Sequence, residues 1–257
     1  MPELPIAAVY SANLASMLSG KEVESIELNR APLNVSCAEL QAAVIGTVLS
    51  DVKRSGKEIL FQFSNSSELL VHLLLAEGFA ITRTPGDVQF KSLLIAFKGG
   101  PSLIISDPKG EIRAQLNPPP PAAPYVLDIN LEYLRGKIAK KTKMLAKAFL
   151  IDQSLFRGIG NAYADEILWE ARISPKSVMG KIPDEAIELL FNSMRKVLID
   201  AVDEIGKAKP DIISGQVLEI LKVHNHSRAQ SPTGWPIKKE SVAGKTTYYT
   251  DEQALYI

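Results

Sequence analysis

The sequence predicts an α+β protein of several domains: an amino-terminal helix and an antiparallel β-sandwich, then a helical domain closed by a β-hairpin. Three observations carry this reading. Apolar residues recur at helical spacing over 4–19, and short alternating or β-branched runs follow as far as residue 116. After the proline run "NPPPPAAPY" the helical spacing returns, until a last segment rich in Pro, Gly, Thr and Tyr.

In "LPIAAVYSANLASMLS", Ile6, Val9, Leu14, Met17 and Leu18 form the apolar face of a helix, and Gly20 stops it. "KEVESIEL", "TVLSDVK", "KEILFQF", "ELLVHLLL", "FKSLLIAF", "SLIISD" and "EIRAQL" read as strands, punctuated by Gly, Asn, Pro or Ser. The proline run fits neither a helix nor a central strand and makes a stiff spacer. Beyond it, "NLEYLRGKIAKK", "KMLAKAFLIDQ", "AYADEILWEA", "PDEAIELLFNSMRKVLIDAVDEI" and "PDIISGQVLEILKVH" carry apolar residues three and four apart, as helices do. "GWPIKKESVAGKTTYYTDEQ" reads as the terminal hairpin. The boundaries expected are a first domain over 1–116, a linker over 117–126, a helical domain over 127–222 and the hairpin over 223–257. There is no internal repeat.

Composition narrows the class. The 257 residues are enough for two ordinary domains, and 46% hydrophobic with 23% charged residues is the balance of a folded soluble chain. No apolar run is long enough for a transmembrane helix, no signal peptide is visible, and a single cysteine, Cys37, rules out an internal disulfide and any cysteine-rich zinc site. A cytoplasmic protein is expected, with no cofactor and no membrane partner, acting as a monomer.

Formal net charge is zero, which argues against a nucleic-acid partner unless the charge is unevenly spread. It is uneven. "RGKIAKKTKMLAK" holds Arg135, Lys137, Lys140, Lys141, Lys143 and Lys147 with no acid, and Lys222, Arg228, Lys238, Lys239 and Lys245 repeat the bias near the end. Between these segments lies "RGIGNAYADEILWEA". Gly158 and Gly160 allow close backbone approach there, and Asn161 is placed to cap a helix beginning at Ala162. A helix start of this kind binds anions, phosphate among them. At the other end of the chain stands "MPELP". If Met1 is removed, Pro2 carries a secondary amine, and an α-amino group titrates at about 7.7–8.0, so part of it is neutral and nucleophilic near neutrality. Glu3 beside it is fit to carry a proton.

Taken together, "LIDQSLFRGIGNAYADEILWEARISP", "PELP" and "SGKEILFQF" resemble the formamidopyrimidine-DNA glycosylase and endonuclease VIII family, over nearly the whole chain. The resemblance implies a helix–two-turn–helix domain, base-excision repair of oxidised bases and damaged DNA, duplex or single-stranded, as partner. It implies that Pro2 attacks C1′ of a flipped-out nucleotide and Glu3 donates a proton. By the same carry-over Lys57 assists β-elimination, Lys245 stands for the arginine that assists δ-elimination, and Lys143, Lys147 and Asn161 hold the backbone beside the lesion. A flipped base is what such an attack requires, since the sugar carbon is out of reach in the stacked duplex.

The chain departs from the family pattern in several places. The family's hairpin usually carries four zinc-binding cysteines, and the matching positions here are Gln230, Thr233, Thr250 and Gln253, so no thiolate site can form. The segment resembles a zincless finger, in which Trp235, Tyr248 and Tyr249 are expected to pack together. Lys245 keeps the charge of the usual arginine without its bidentate fork. Ile6 replaces a second glutamate. "HLLLAEG" and "DPKGEIR" match the gap-filling segments loosely, with Leu75 and Arg113 as candidates. His224 and His226 read as packing or surface histidines, not metal ligands. Two other functions fit the same scaffold: a non-catalytic binder of damaged or structured nucleic acid, and an abasic-site lyase with little glycosylase activity.

Overall fold

The computed structural model describes residues 2–29, 32–74 and 78–257 and falls into two compact units. The first comprises Pro2, Ile6–Pro120 and Ile205–Gln216; the second Glu3–Pro5, Pro121–Glu204 and Val217–Ile257. The candidates Met1 and Leu75 lie outside the described residues.

In the first unit, helix α1 (Leu4–Leu18) begins at the unit boundary and is followed by β1 (Val23–Leu28), α2 (Cys37–Val44), β2 (Leu49–Ser55), β3 (Glu58–Phe63), β4 (Glu68–His72), β5 (Ala80–Thr82), β6 (Lys91–Phe97), β7 (Ser102–Ser106) and β8 (Arg113–Leu116). The strands form two antiparallel sheets, in the orders β1-β6-β7-β5 and β2-β3-β4-β8. Alternation decides which side chains are inside: Ile59, Phe61 and Phe63 of β3 are buried, while Glu58, Leu60 and Gln62 between them are only partly covered. β6 instead buries Ser92, Leu93, Leu94 and Ile95 in succession, as a strand covered on both faces does. The aromatic edge contacts Phe61–Phe79 (6.0 Å) and Phe79–Tyr10 (6.4 Å) join β3 to α1. β2 and β3 meet in a two-residue turn at Gly56–Lys57, where Gly56 takes the positive φ (69°) such turns ask of their first central residue.

α2 and β5 have no counterpart in the sequence reading. α2 starts with a capping box, in which Ser36 accepts from the Glu39 N–H and Glu39 accepts from the Ser36 N–H. The expected helix over 210–224 is absent. Pro210 offers no N–H, and the carbonyls beyond it are taken by other partners within the unit: Ile212 by Asn13 Nδ2 (2.9 Å), Ile213 by the Phe79 N–H (2.8 Å) and Gly215 by the Tyr10 hydroxyl.

The second unit holds α3 (Leu131–Lys140), α4 (Ala146–Ile151), α5 (Asn161–Glu170), most of α6 (Asp184–Ala208), and a hairpin of β9 (Lys238–Val242) and β10 (Lys245–Tyr249). Asn130 caps α3 through the Tyr133 N–H (2.8 Å). Leu134, Phe149, Phe156, Ile159, Leu168 and Leu190 form its core, with Leu4 among them. The hairpin turns at Ala243–Gly244, both at positive φ (52° and 72°), the pair a type I′ turn requires. It falls in the same compact unit as the helices, and side chains of α5 take up backbone N–H groups of residues 222–224 and 248. Phe61 has no exposed surface, so Phe61→Ala should lower unfolding stability by about 3–5 kcal/mol in denaturant titration.

Candidate active site and nucleic-acid interface

The start of α5 explains the "RGIGN" stretch. A helix leaves its first N–H groups without partners. Here the Glu3 carboxylate takes three of them: Gly160 (3.1 Å), Ala162 (2.9 Å) and Tyr163 (3.1 Å). The helix dipole favours an anion at that end as well. Asn161 does not cap the helix, as the sequence reading expected; it is the first helical residue, after Gly160, and Glu3 fills the cap from a distant part of the chain. The position is therefore closed to a phosphate by the chain's own acid.

Two glycines make room for Glu3 and its neighbour. A Cβ on Gly160 would overlap the Glu3 carboxyl group. Gly158 has φ +121°, and a Cβ there would come within 2.7 Å of Leu4 Cδ1. The Leu4 N–H donates to the Gly158 carbonyl at 3.2 Å, so the segment is held by backbone as well as by the carboxylate.

Lys147 was expected at a phosphate, and the structure places it elsewhere. It has no exposed surface, and its Nζ donates to the Asn161 carbonyl (2.7 Å) and to Asp165 Oδ1. Burial pushes the Lys147 ammonium's pKa down, against the pull of Asp165. Asp165 Oδ2 also accepts the Tyr248 N–H (2.9 Å) and lies 2.5 Å from His224 Nδ1, whose ring stands edge-on to Tyr248. Next along α5, Glu166 accepts the N–H groups of Lys222, Val223 and His224 at 2.7–2.9 Å. Burial pushes its carboxyl up and outweighs those donors. Sequence reasoning missed Asp165 and Glu166, although two adjacent acids inside the apolar run "AYADEILWEA" were a visible signal.

Asn161 Nδ2 donates to the Thr246 carbonyl on β10 (2.9 Å), leaving Oδ1 buried without a hydrogen-bond partner and a second N–H on Nδ2 still to place. Lys143 and Lys245 are exposed, and neither has an ion pair among the described residues. Arg135, by contrast, is held by Asp184 and Glu188. In the first unit, Pro2 is buried, Lys57 occupies the β2–β3 turn, and Arg113 is exposed on β8, in register with His72. Arg113 lines a cavity of about 390 Å³ with His72 and Glu58, and His72 Nδ1 is 3.4 Å from Glu58 Oε1.

The hairpin does not offer a zinc site. Thr233 Oγ1 donates to Glu252 (2.7 Å), Thr250 N–H donates to Gln253 Oε1 (2.8 Å), and Gln253 Nε2 donates to the Ile173 carbonyl (2.8 Å). Amides and hydroxyls so engaged are poor partners for zinc, and among the described residues no three His, Cys, Asp or Glu converge on one point. Tyr248 and Tyr249 are buried, whereas Trp235 is 47% exposed. The indole that bonds the hairpin's end is that of Trp169 on α5, with Nε1 on Glu252 (3.0 Å).

Comparison with known proteins fits this geometry. Residues 1–113 match the formamidopyrimidine-DNA glycosylase N-terminal domain, and residues 121–211 match the H2TH domain of the same enzymes. The formamidopyrimidine-DNA glycosylase of Carboxydothermus hydrogenoformans is 30% identical over 97% of this chain and 98% of its own. The chain belongs to the formamidopyrimidine-DNA glycosylase family. A relative from Rickettsia felis is 28% identical over 97% of this chain and 96% of its own. Among solved structures, a Lactococcus lactis family member in complex with a THF-DNA and an inhibitor superposes with a TM-score of 0.86 at 24% identity, covering 97% of this chain and 98% of that one.

Two outcomes follow for the residues of α4 and α5. Gly160→Ala should cost about 1–3 kcal/mol in unfolding experiments, since the Glu3 carboxyl must leave its place. Lys147→Met leaves a buried carboxylate without its main cation and should cost about 3–5 kcal/mol, with the salt dependence of DNA binding unchanged in titrations across ionic strength.

Proposed function

We propose that this chain is a bifunctional DNA glycosylase and abasic-site lyase of base-excision repair, with the Pro2 nitrogen as nucleophile and Glu3 as proton carrier. The observation that carries the reading is the Glu3 carboxylate fixed on three backbone N–H groups at the start of α5. An acid held this way has a set position, and Pro2 precedes it by one peptide bond, with Cα atoms about 3.8 Å apart. The Lactococcus lactis structures contain THF-DNA, abasic-site DNA and Fapy-dG DNA, and damaged DNA is the partner we assign here.

The lone pair of Pro2 forms a bond to C1′ of the flipped nucleotide, and the oxidised base leaves with the glycosidic electrons and a proton. The sugar ring opens with a proton from Glu3, giving an iminium between Pro2 and C1′. Loss of the C2′ proton then expels the 3′ phosphate, a β-elimination in which Lys57 assists. Lys245 assists the second, δ-elimination from the 5′ side, where its point charge is a weaker clamp than an arginine fork. Lys143, Lys245 and the second N–H of Asn161 hold phosphates in the second unit, and Arg113 does so in the first. No described helix is long and apolar enough to cross a membrane, and we place the enzyme with its substrate in the cytoplasm.

The chemistry requires a free amine, because a nitrogen acylated by Met1 has its lone pair delocalised. Borohydride should therefore trap processed protein on abasic DNA, while a chain with an uncleaved amino-terminal tag should bind without trapping. Pro2→Gly should trap more weakly. Glu3→Gln should lose base excision by about 10²- to 10⁴-fold and keep most lyase activity on a pre-formed abasic site. Equal trapping by the tagged and processed chains would move the nucleophile to another amine.

A further inference from the structure

The terminal hairpin contains a carboxylate that the reaction does not use. Glu252 follows β10, and its side chain is 10% exposed. Its Oε2 accepts from Trp169 Nε1 (3.0 Å), Thr233 Oγ1 (2.7 Å), Thr250 Oγ1 (3.0 Å) and Ser231 Oγ (3.2 Å), and its Oε1 accepts from Arg172. Five donors from three separate stretches of chain meet on one carboxylate. Two of them, Thr233 and Thr250, stand where the family's metal-binding cysteines are expected. The other stretch, Trp169–Arg172, is the end of α5, and Arg172 lies over the Trp169 ring at 5.0 Å. Burial pushes the Glu252 carboxyl up, but the bonds from Thr233, Trp169 and Thr250 and the charge of Arg172 outweigh it and hold it down at about 2.

The arrangement inverts the electrostatics of a metal finger. There a cation gathers anionic thiolates; here an anion gathers hydroxyl, indole and guanidinium donors, and charge-assisted hydrogen bonds are the stronger kind. We propose that Glu252 replaces the metal as the organising centre of the hairpin, a positioning residue that holds β10, and through it Lys245, against α5. The role of Lys245 rests on the function proposed above. The consequence is a DNA-gripping hairpin that depends on neither zinc nor thiols.

The test compares Glu252→Gln, Glu252→Asp, Lys245→Ala and the double variant Glu252→Gln/Lys245→Ala with the parent protein, on a duplex carrying an abasic site. Glu240→Gln, a surface carboxylate of the same hairpin bonded to Lys176 and Tyr249, is the control. Glu252→Gln puts an amide N–H₂ among donors and should raise KM about tenfold, with kcat for β-elimination little changed. It should also lower the log–log salt slope of binding by about one, as Lys245→Ala does, and the double variant should be no worse than either single one. Glu252→Asp should recover part of the loss, Glu240→Gln should match the parent, and elemental analysis should find no stoichiometric zinc. An unchanged KM in Glu252→Gln, additive losses in the double variant, or one bound zinc per chain would overturn the proposal. Should Glu252→Gln fail to fold, Thr233→Val and Thr250→Val each remove one donor and must shift KM the same way; no shift in either overturns it too. If Lys245→Ala itself leaves the slope unchanged, the role of Lys245 falls separately. The hub is then judged by amide exchange over residues 245–249, faster by about tenfold in Glu252→Gln if it holds and unchanged if it does not.

Discussion

The structure turns on one carboxylate at one helix end. Glu3 takes the N–H groups of Gly160, Ala162 and Tyr163, and most of what surrounds it follows from that choice. Gly160 must lack a side chain because the carboxyl occupies its space, and Gly158 must accept a positive φ so that Leu4 can lie close. Leu4 in turn joins the core of the second unit. A glycine-rich helix start invites the reading of a phosphate cradle. The physics is the same here, but the anion is supplied by the chain, and what the cradle fixes is the carboxylate of the residue next to Pro2.

α5, whose start holds the Glu3 carboxylate, is itself held along its length by the segment from β10 to Glu252. Asn161 Nδ2 bonds the Thr246 carbonyl, Asp165 bonds the Tyr248 N–H, and Trp169 bonds Glu252. The helix residues are four apart, about 6 Å along the axis. Residues 246 and 248 are two apart on a strand, about 6.8 Å. The two periods match closely enough for one face of α5 to run beside β10 without strain in either, and the turn after the strand brings Glu252 to the third position. Buried charge is costly unless it is paired. Asp165 meets that condition with Lys147, His224 and a backbone N–H, and Glu166 meets it with three backbone N–H groups.

Local chemistry made much of the fold readable. Alternation in "EILFQF" gives β3 and its inward face, apolar spacing in "NLEYLRGKIAKK" gives α3, and the Pro, Gly, Thr and Tyr content of the last segment gives the hairpin. The misses have identifiable causes. α2 is too short to show a period, although Ser36 and Glu39 have the spacing of a capping box. Residues 210–224 have helical spacing, but tertiary partners claim the backbone that a helix would use for itself. Lys147 is one lysine in a basic run, and nothing local separates it from Lys143. Its burial depends on Asp165, eighteen positions along, which only the folded chain brings near. The roles proposed for Pro2 and Lys57 come only through the family pattern, since a turn lysine and a second-position proline are ordinary residues by themselves.

That separation changes how the protein's charge is understood. A run of basic residues in a chain of zero net charge reads as a single cleft for DNA, yet the structure sorts it into kinds. Lys147 is interior. Arg135, Lys176, Lys196 and Lys238 are tied to carboxylates at the surface, so each contributes a weaker field than its formal charge. Lys140, Lys141, Lys143 and Lys245 are exposed, with no ion pair among the described residues. A lysine at 245 offers a point charge with no preferred plane, so its usefulness depends on how firmly β10 is placed. An arginine fork tolerates a loose strand because its geometry selects the phosphate; a lysine requires the strand to do the selecting. On the roles proposed above for Lys245 and Glu252, that is a physical reason for so many hydrogen bonds to converge on the end of a five-residue strand.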